Sequence, residues 1–233
     1  MKRTTILMVG GLLTLLIAIA AVLLFRPSAA PSGAMTAIPL AEPTAVVQPT
    51  AVVQSEAQTF EIVSSESEAR FSIDEVLRGA PITVVGTSDQ ISGQIAVDPA
   101  NPSQSRIGVI QINARALVTD NEFRNRAIRN AILETDRYEY ISFAPTQIRG
   151  MPERVEVGQS FSFQVLGDLT IRTVTRPVTF DLRVTATSND TISGIATTRV
   201  LYRDFALRIP EVPSVDLVAD EVGLELEFVA RSR

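Results

Sequence analysis

The chain has 233 residues, a net charge of −5, no cysteine and no histidine. The absence of cysteine excludes disulfides and thiolate metal ligands, and the absence of histidine excludes any catalytic triad that uses imidazole. The only lysine is Lys2, which excludes Schiff-base chemistry elsewhere, and the acidic balance does not suit binding to nucleic acid. We therefore expect no catalytic residues, no metal or other cofactor and no nucleic-acid partner.

The N-terminal region contains twenty consecutive uncharged, mostly apolar residues at positions 6–25. A helix of this length spans about 30 Å, which is the thickness of the hydrocarbon core of a bilayer. Lys2 and Arg3 precede the run, which favours a cytoplasmic N-terminus. We predict a membrane anchor with the rest of the chain on the extracytoplasmic side, periplasmic or at the cell surface. The alternative is a signal peptide cleaved near residues 32–34, which would give a secreted protein.

Residues 27–58 are rich in proline, alanine, threonine, serine and valine, and the sequence PTAVVQ at 43–48 is repeated at 49–54. Repeated prolines disfavour a helix and favour extended conformations. We predict a disordered linker that does not contact the following domain; a partner-binding or glycosylated stalk is the alternative. The predicted division is therefore an anchor or signal segment at 1–26, a linker at 27–58 and one domain at 59–233, which should fold alone.

The domain alternates between apolar and polar side chains along most of its length. In the clearest run, the odd-numbered positions carry apolar residues such as Phe161, Phe163 and Val165, and the even-numbered positions are mostly polar. Period-two alternation is typical of antiparallel strands with one buried face. Further runs of this kind lie at 91–97, 178–185 and 222–228. The pattern predicts an antiparallel all-β domain, and periodicity alone leaves a barrel and a sandwich as alternatives.

One helix is predicted, at residues 121–133, with Asp120 or Asn121 as its N-cap. Its apolar face would carry five residues: Phe123, Ala127, Ile128, Ala131 and Ile132. The predicted helix also carries three arginines, and one of them, Arg124, is a candidate for contact with an anionic lipid headgroup. A solvated face, with the arginines balanced by nearby glutamates, is the alternative that we favour.

Residues 165–172 read VLGDLTIR and residues 174–180 read VTRPVTF. This pair resembles the strand pair of the YceI-like lipid-binding family, which reads G-x-L-T-I/L-x-G-V-T-K/R-P-V. Further matching segments follow the family's order, so the resemblance runs from about residue 59 to residue 230. They are Gly93-Gln94-Ile95, Thr119-Asp120-Asn121, residues 138–143 and Arg203-Asp204-Phe205. Asn125 and Ala127 stand where the family's helix usually carries Asp and His, so a role that depends on that histidine is not expected.

The resemblance implies a lipocalin-like antiparallel β-barrel of about eight strands with one short helix. Its interior would bind a long isoprenoid lipid, such as a polyisoprenoid or an isoprenoid quinone. Eight residues of inward parity are the candidates for lining the ligand: Phe71, Ile73, Ile95, Phe143, Phe163, Val165, Phe180 and Phe228. The alternative function is a non-catalytic interaction module whose solid core holds no lipid. Gly93, Gly167 and Gly194 would mark either bends or room for a ligand, and a homodimer is a further possibility.

Overall fold

The structure is a computed structural model that describes residues 27–40, 57–212 and 215–232. Within these ranges it contains twelve strands and one α-helix. The strands are β1 Gln58–Ile62, β2 Glu68–Leu77, β3 Ala80–Ser88, β4 Ile91–Ser92, β5 Gln94–Val97, β6 Arg106–Ile107, β7 Ile110–Asn113, β8 Tyr140–Arg149, β9 Ser160–Ile171, β10 Val174–Ser188, β11 Thr191–Leu201 and β12 Val215–Ser232. The helix, α1, is Glu122–Ala127, and a π-helical turn at Ile128–Ile132 follows it.

All twelve strands belong to one antiparallel sheet that curls into a half-barrel. Its main path runs β4-β7-β8-β9-β10-β11-β12-β1-β5-β6, and β2 branches from β12 to pair with β3. β4 and β5 are consecutive in the chain and separated only by Gly93, yet β4 pairs with β7 and β5 pairs with β1. The two ends of the strand order therefore meet at Gly93, where the chain passes from β4, which is paired with β7, to β5, which is paired with β1.

The predicted all-β antiparallel class and single short helix are confirmed within the described residues. The prediction of about eight strands in a lipocalin-like barrel is corrected to a curled half-barrel of twelve strands. The difference arises because the predicted run at residues 91–97 is divided at Gly93 into β4 and β5, and because the alternation gave no sign of the short strands β6 and β7. The alternation itself holds: in β9, Val165 and Leu169 are buried whereas Gln164 and Asp168 are exposed.

Two groups of buried apolar side chains form the core. One lies beneath the middle of the sheet and includes Phe60, Val165, Val184 and Phe228. The other lies beneath the helical segment and includes Leu117, Ile128, Leu133, Leu169 and Phe205. Phe143 packs against both groups, so the two halves of the core are continuous through β8.

Helix α1 starts where the sequence predicts and ends earlier. Asn121 caps it, because its side-chain oxygen accepts hydrogen bonds from the N–H groups of Phe123 at 2.9 Å and Arg124 at 3.2 Å. The prediction that Phe123 lies on the apolar face is wrong, since this side chain is 68% exposed. The buried face is set by Asn125 and Ile128. Phe123 lies two residues from Asn125, about 200° around the helix, and therefore points to solvent.

Residues 27–40, which we call the strap, contact the domain, although the sequence predicted no contact for the linker. The N–H of Ala29 donates to Asp136 at 2.9 Å and the N–H of Leu40 donates to Gln94 at 3.2 Å. Ala37 is 4% exposed. The expectation fails because backbone donors and small side chains dock without leaving an apolar periodicity in the sequence. The rest of the predicted linker, residues 41–56, lies outside the described residues, and the division into domains stays a prediction.

The predicted membrane anchor at residues 6–25 also lies outside the described residues. Among the helical segments that the structure does describe, none has the length and apolar character needed to span a bilayer.

Candidate ligand-binding site

The inner face of the half-barrel surrounds a cavity of about 280 Å³. This volume is close to the lower end of the range of small-molecule sites, roughly 300–1,000 Å³. The cavity lies between the two groups of core side chains. Val165 and Phe228 of the first group and Ile128 and Leu169 of the second group line its wall. Almost all of the wall is hydrocarbon. The interior is therefore a hollow apolar space instead of a completely filled core.

Seven of the eight predicted lining residues lie on the cavity wall: Phe71, Ile73, Ile95, Phe143, Val165, Phe180 and Phe228. Phe163 is the exception, because β9 runs past the cavity. Val165 and Leu169 line the cavity, whereas Phe163 is packed in the core with its ring stacked on Phe161 at a centroid distance of 5.7 Å. Contact between the seven residues and a ligand stays a prediction.

Two aromatic side chains, one from β8 and one from β10, meet across the intervening strand β9 and pack together in the wall. The rings of Phe143 and Phe180 meet edge to face, with centroids 4.9 Å apart and planes at 66°. Aromatic pairs prefer this geometry, which adds about 0.5–1.5 kcal/mol to the burial of the rings. This part of the wall is therefore preformed.

The strand glycines do not supply room for a ligand. A Cβ at Gly167 would lie 2.5 Å from the carbonyl oxygen of Ala144 and 2.6 Å from the ring of Phe143. A Cβ at Gly194 would lie 2.9 Å from the carbonyl oxygen of Arg183. At Gly93, where the chain bends from β4 to β5, a Cβ would clash with the side chain of Ile110. Groups of the protein itself occupy all three spaces, so none of these glycines provides room for a ligand.

A charged pair lies on the wall at the end formed by α1 and β2. Glu75 shares its parity with Phe71 and Ile73 and is 8% exposed. Arg124 of α1 donates to Glu75 at 3.0 Å and to Asp120 at 2.6 Å. Glu75 was not among the predicted site residues. The signal that could have identified it is a carboxylate at an apolar parity position of a strand.

Two further charged residues, Arg70 and Glu225, border the cavity without pointing into it. They face each other across β2 and β12 and form an ion pair. In the same register Phe71 is opposite Leu224, and both of these residues line the cavity. Because successive side chains of a strand point to opposite faces, the pair of Arg70 and Glu225 lies on the outer face of the sheet.

The cavity offers hydrophobic burial with one polar end, which Glu75 and Arg124 form. Among the residues that the structure describes, no group of three or more acidic side chains is placed to bind a metal ion. The hydrocarbon wall suits an apolar molecule.

These features define an all-β protein whose single curled sheet surrounds an apolar cavity. The chain belongs to the YceI-like domain family, whose model matches residues 60–230. The match covers β1 to β12, so the family assignment applies to the whole described sheet.

Individual relatives agree with this assignment. Protein YceI of Shigella flexneri is 25% identical over 149 residues, which cover 60% of this chain and 73% of the relative. The crystal structure of BcnA from Burkholderia cenocepacia is similar with a TM-score of 0.58 and 19% identity, over 72% of this chain and 98% of that one. A domain from Saccharophagus degradans, described as polyisoprenoid-binding and implicated in plant cell wall breakdown, has a TM-score of 0.60 and 14% identity, over 76% of this chain and 100% of its own. At these identities the solved structures support the fold alone.

Proposed function

We propose that the protein binds a long apolar amphiphile, such as a polyisoprenoid or an isoprenoid quinone, in the cavity of the half-barrel. The observation that carries the proposal is the apolar cavity itself, with a wall that is almost entirely hydrocarbon. Each methylene group transferred from water into such a space contributes roughly 0.8 kcal/mol. Family membership supports the proposal, as does the similar fold of the Saccharophagus domain described as polyisoprenoid-binding.

The alternative, an interaction module with a solid core, has less support. A solid core at native packing density contains few voids larger than a water molecule. The cavity of about 280 Å³ is much larger than a single water, whose share of liquid volume is about 30 Å³. The proposed role is binding without catalysis, and a homodimer stays a prediction that the mass of the native protein tests.

Extraction of the natively purified full-length protein tests the proposed ligand. We expect mass spectrometry of an organic extract to contain a long-chain lipid in stoichiometric amount. The variant Phe180→Asp places a charge on the cavity wall and should lose the lipid, with circular dichroism to verify its fold. The matched control is Asp181→Ala, which removes an outward side chain bonded to Gln164 at 2.7 Å. Wild-type extracts without lipid, or equal retention by Phe180→Asp, would contradict the proposal.

We further propose that the protein acts on the outer side of a membrane, tethered by residues 6–25. The support is the length of the apolar run and the position of Lys2 and Arg3 before it. Protease added to cells whose outer membrane, where present, has been permeabilised should digest the domain, and membrane-extracted protein should retain its N-terminal residues. A soluble mature chain that begins near Met35 would contradict the tether.

A further inference from the structure

We infer that the cavity selects amphiphiles with an uncharged, hydrogen-bonding head group and excludes phosphorylated ones. The inference rests on the proposed function and adds the chemical class of the head group. The evidence for this inference is the set of charged side chains at the polar end of the cavity, where α1 meets β2.

Arg124 is the cation of this end, and a free arginine would be a good ligand for phosphate because its planar group binds two oxygens. Here its side chain already donates to two carboxylates, Glu75 at 3.0 Å and Asp120 at 2.6 Å. One positive and two negative charges give the cluster a net charge of −1. The cluster therefore repels an anionic head group although it contains an arginine.

The buried ion pair carries more of this discrimination than the surplus charge of Asp120, because the side chain of Asp120 is 86% exposed and its charge is screened by water and salt. The side chains of Glu75 and Arg124 are only 8% and 21% exposed. Charges in such a position are screened less by water and salt than charges on the surface. A phosphate that took Arg124 for itself would leave Glu75 buried without its partner, which is strongly unfavourable. The pair thus acts against one class of ligand.

The other charged groups close to the wall do not change this balance. Arg70 is paired with Glu225 on the outer face of the sheet. Arg203 lies over the ring of Tyr202, which lines the cavity, and it is paired with Asp220 at 2.7 Å. Arg129 and Arg172, which lie close to the wall residue Ile132, are also paired, Arg129 with Glu122 at 3.8 Å and Arg172 with Glu134. All four arginines are therefore paired with a carboxylate, and none offers a compensating positive charge.

An uncharged head group fits the same cluster. A guanidinium group has five N–H donors, of which the two bonds of Arg124 use two. Glu75 accepts the bond from Arg124 with one of its two carboxylate oxygens. A carbonyl can accept from the remaining donors, and a hydroxyl can also donate to the carboxylate, without separating the ion pair. An isoprenoid alcohol or a quinone satisfies this requirement.

The test compares farnesol and farnesyl phosphate, which share one chain and differ in the head group. Native mass spectrometry of the delipidated full-length protein, with each ligand at equal concentration, gives the ratio of the two complexes. We expect the wild type to favour farnesol by about tenfold or more. The isosteric variant Glu75→Gln removes the buried carboxylate, leaves Arg124 paired only with the exposed Asp120, and should bring the ratio close to one. Asp120→Asn should shift it in the same direction, and its side chain is 86% exposed, so the fold should tolerate it.

The matched control is Glu66→Gln, which makes the same change in an exposed pair with Arg231 that is not on the cavity wall. It should keep the wild-type ratio, and a shift as large as that of Glu75→Gln would overturn the local explanation. Equal or tighter binding of farnesyl phosphate to the wild type would overturn the inference and leave the proposed function standing. Failure of both ligands to bind would instead count against the proposed function.

Discussion

Ser32 binds Glu139 through both of its hydrogen-bond donors. Its N–H donates to Oε1 at 2.7 Å and its hydroxyl donates to Oε2 at 2.8 Å. Glu139 also accepts from Asn113 at 2.9 Å and forms an ion pair with Arg115 at 2.7 Å. Because Asn113 and Arg115 belong to the segment that ends β7, this one carboxylate joins the strap to the sheet.

The contact between Ser32 and Glu139 should contribute to stability. We expect Ser32→Ala to lower the free energy of unfolding by about 1 kcal/mol, since it removes one hydrogen bond to a charged group. Chemical denaturation of the full-length protein measures the effect. Thr36→Ala removes a hydroxyl from an exposed position of the same strap and should be neutral. If the two variants are equally stable, the strap does not dock as the structure describes.

The same carboxylate should make stability depend on pH under acidic conditions. Burial alone would raise the pKa of Glu139, but hydrogen bonds from Ser32 and Asn113 and the charge of Arg115 lower this pKa below its ordinary value of 4.5. A lowered pKa in the folded state adds stability above pH 4.5 that is lost as the pH falls through the folded value. Glu139→Gln should remove this part of the pH profile, and Ser32→Ala should reduce it. A profile that is identical in Glu139→Gln and the wild type would contradict the prediction.

A side chain at position 167 should disturb the sheet. Gly167→Ala places a methyl group against the carbonyl oxygen of Ala144, which belongs to the backbone of β8 and cannot move aside. We expect a loss of about 1–3 kcal/mol, as for other overpacked sites. The control is Gly33→Ala, because no atom lies within 4 Å of a Cβ built there. Thermal unfolding of both variants should show a lower midpoint only for Gly167→Ala.

A buried amide should fix the entry to α1. Asn125 is 1% exposed, and its side-chain oxygen accepts from the N–H of Thr119 at 2.7 Å and from the hydroxyl of Thr119 at 2.8 Å. Asn125→Ala leaves the N–H of Thr119 without this acceptor and its hydroxyl with only the longer bond to the carbonyl oxygen of Asn121 at 3.3 Å, and it should cost about 1–3 kcal/mol. Asn189→Ala, in an exposed turn, should change stability by less than about 0.5 kcal/mol. Equal denaturation midpoints for the two variants would disprove the role of Asn125.

The sequence predicted the parts of the fold that depend on alternation. The inward residues of β9 and β10 follow from period two, and seven of the eight predicted lining residues lie on one cavity wall. Parity gives the face of a residue but not its position along the strand. For this reason it could not distinguish Phe163, which fills the core, from Val165, which lines the cavity.

Features that depend on contacts between distant segments were not predictable. Ser32 and Glu139 are 107 residues apart, and nothing in either segment indicates the other. Helix length was overestimated because the apolar pattern continues through the π-helical turn at Ile128–Ile132. Glu75 carried a readable signal, a charge among inward positions, but its partner Arg124 is known only from the folded arrangement.

The docked strap constrains the geometry of the proposed tether. Four residue steps separate Phe25, where the proposed membrane span ends, from Ala29, which is bonded to Asp136. A fully extended chain of this length covers about 14 Å. If residues 6–25 cross a bilayer, the docking site of Ala29 stays within that distance of the membrane surface. Leu40 is bonded to Gln94 and β1 starts at Gln58, so changing the length of the segment between them would leave the height of the domain above the membrane unaltered.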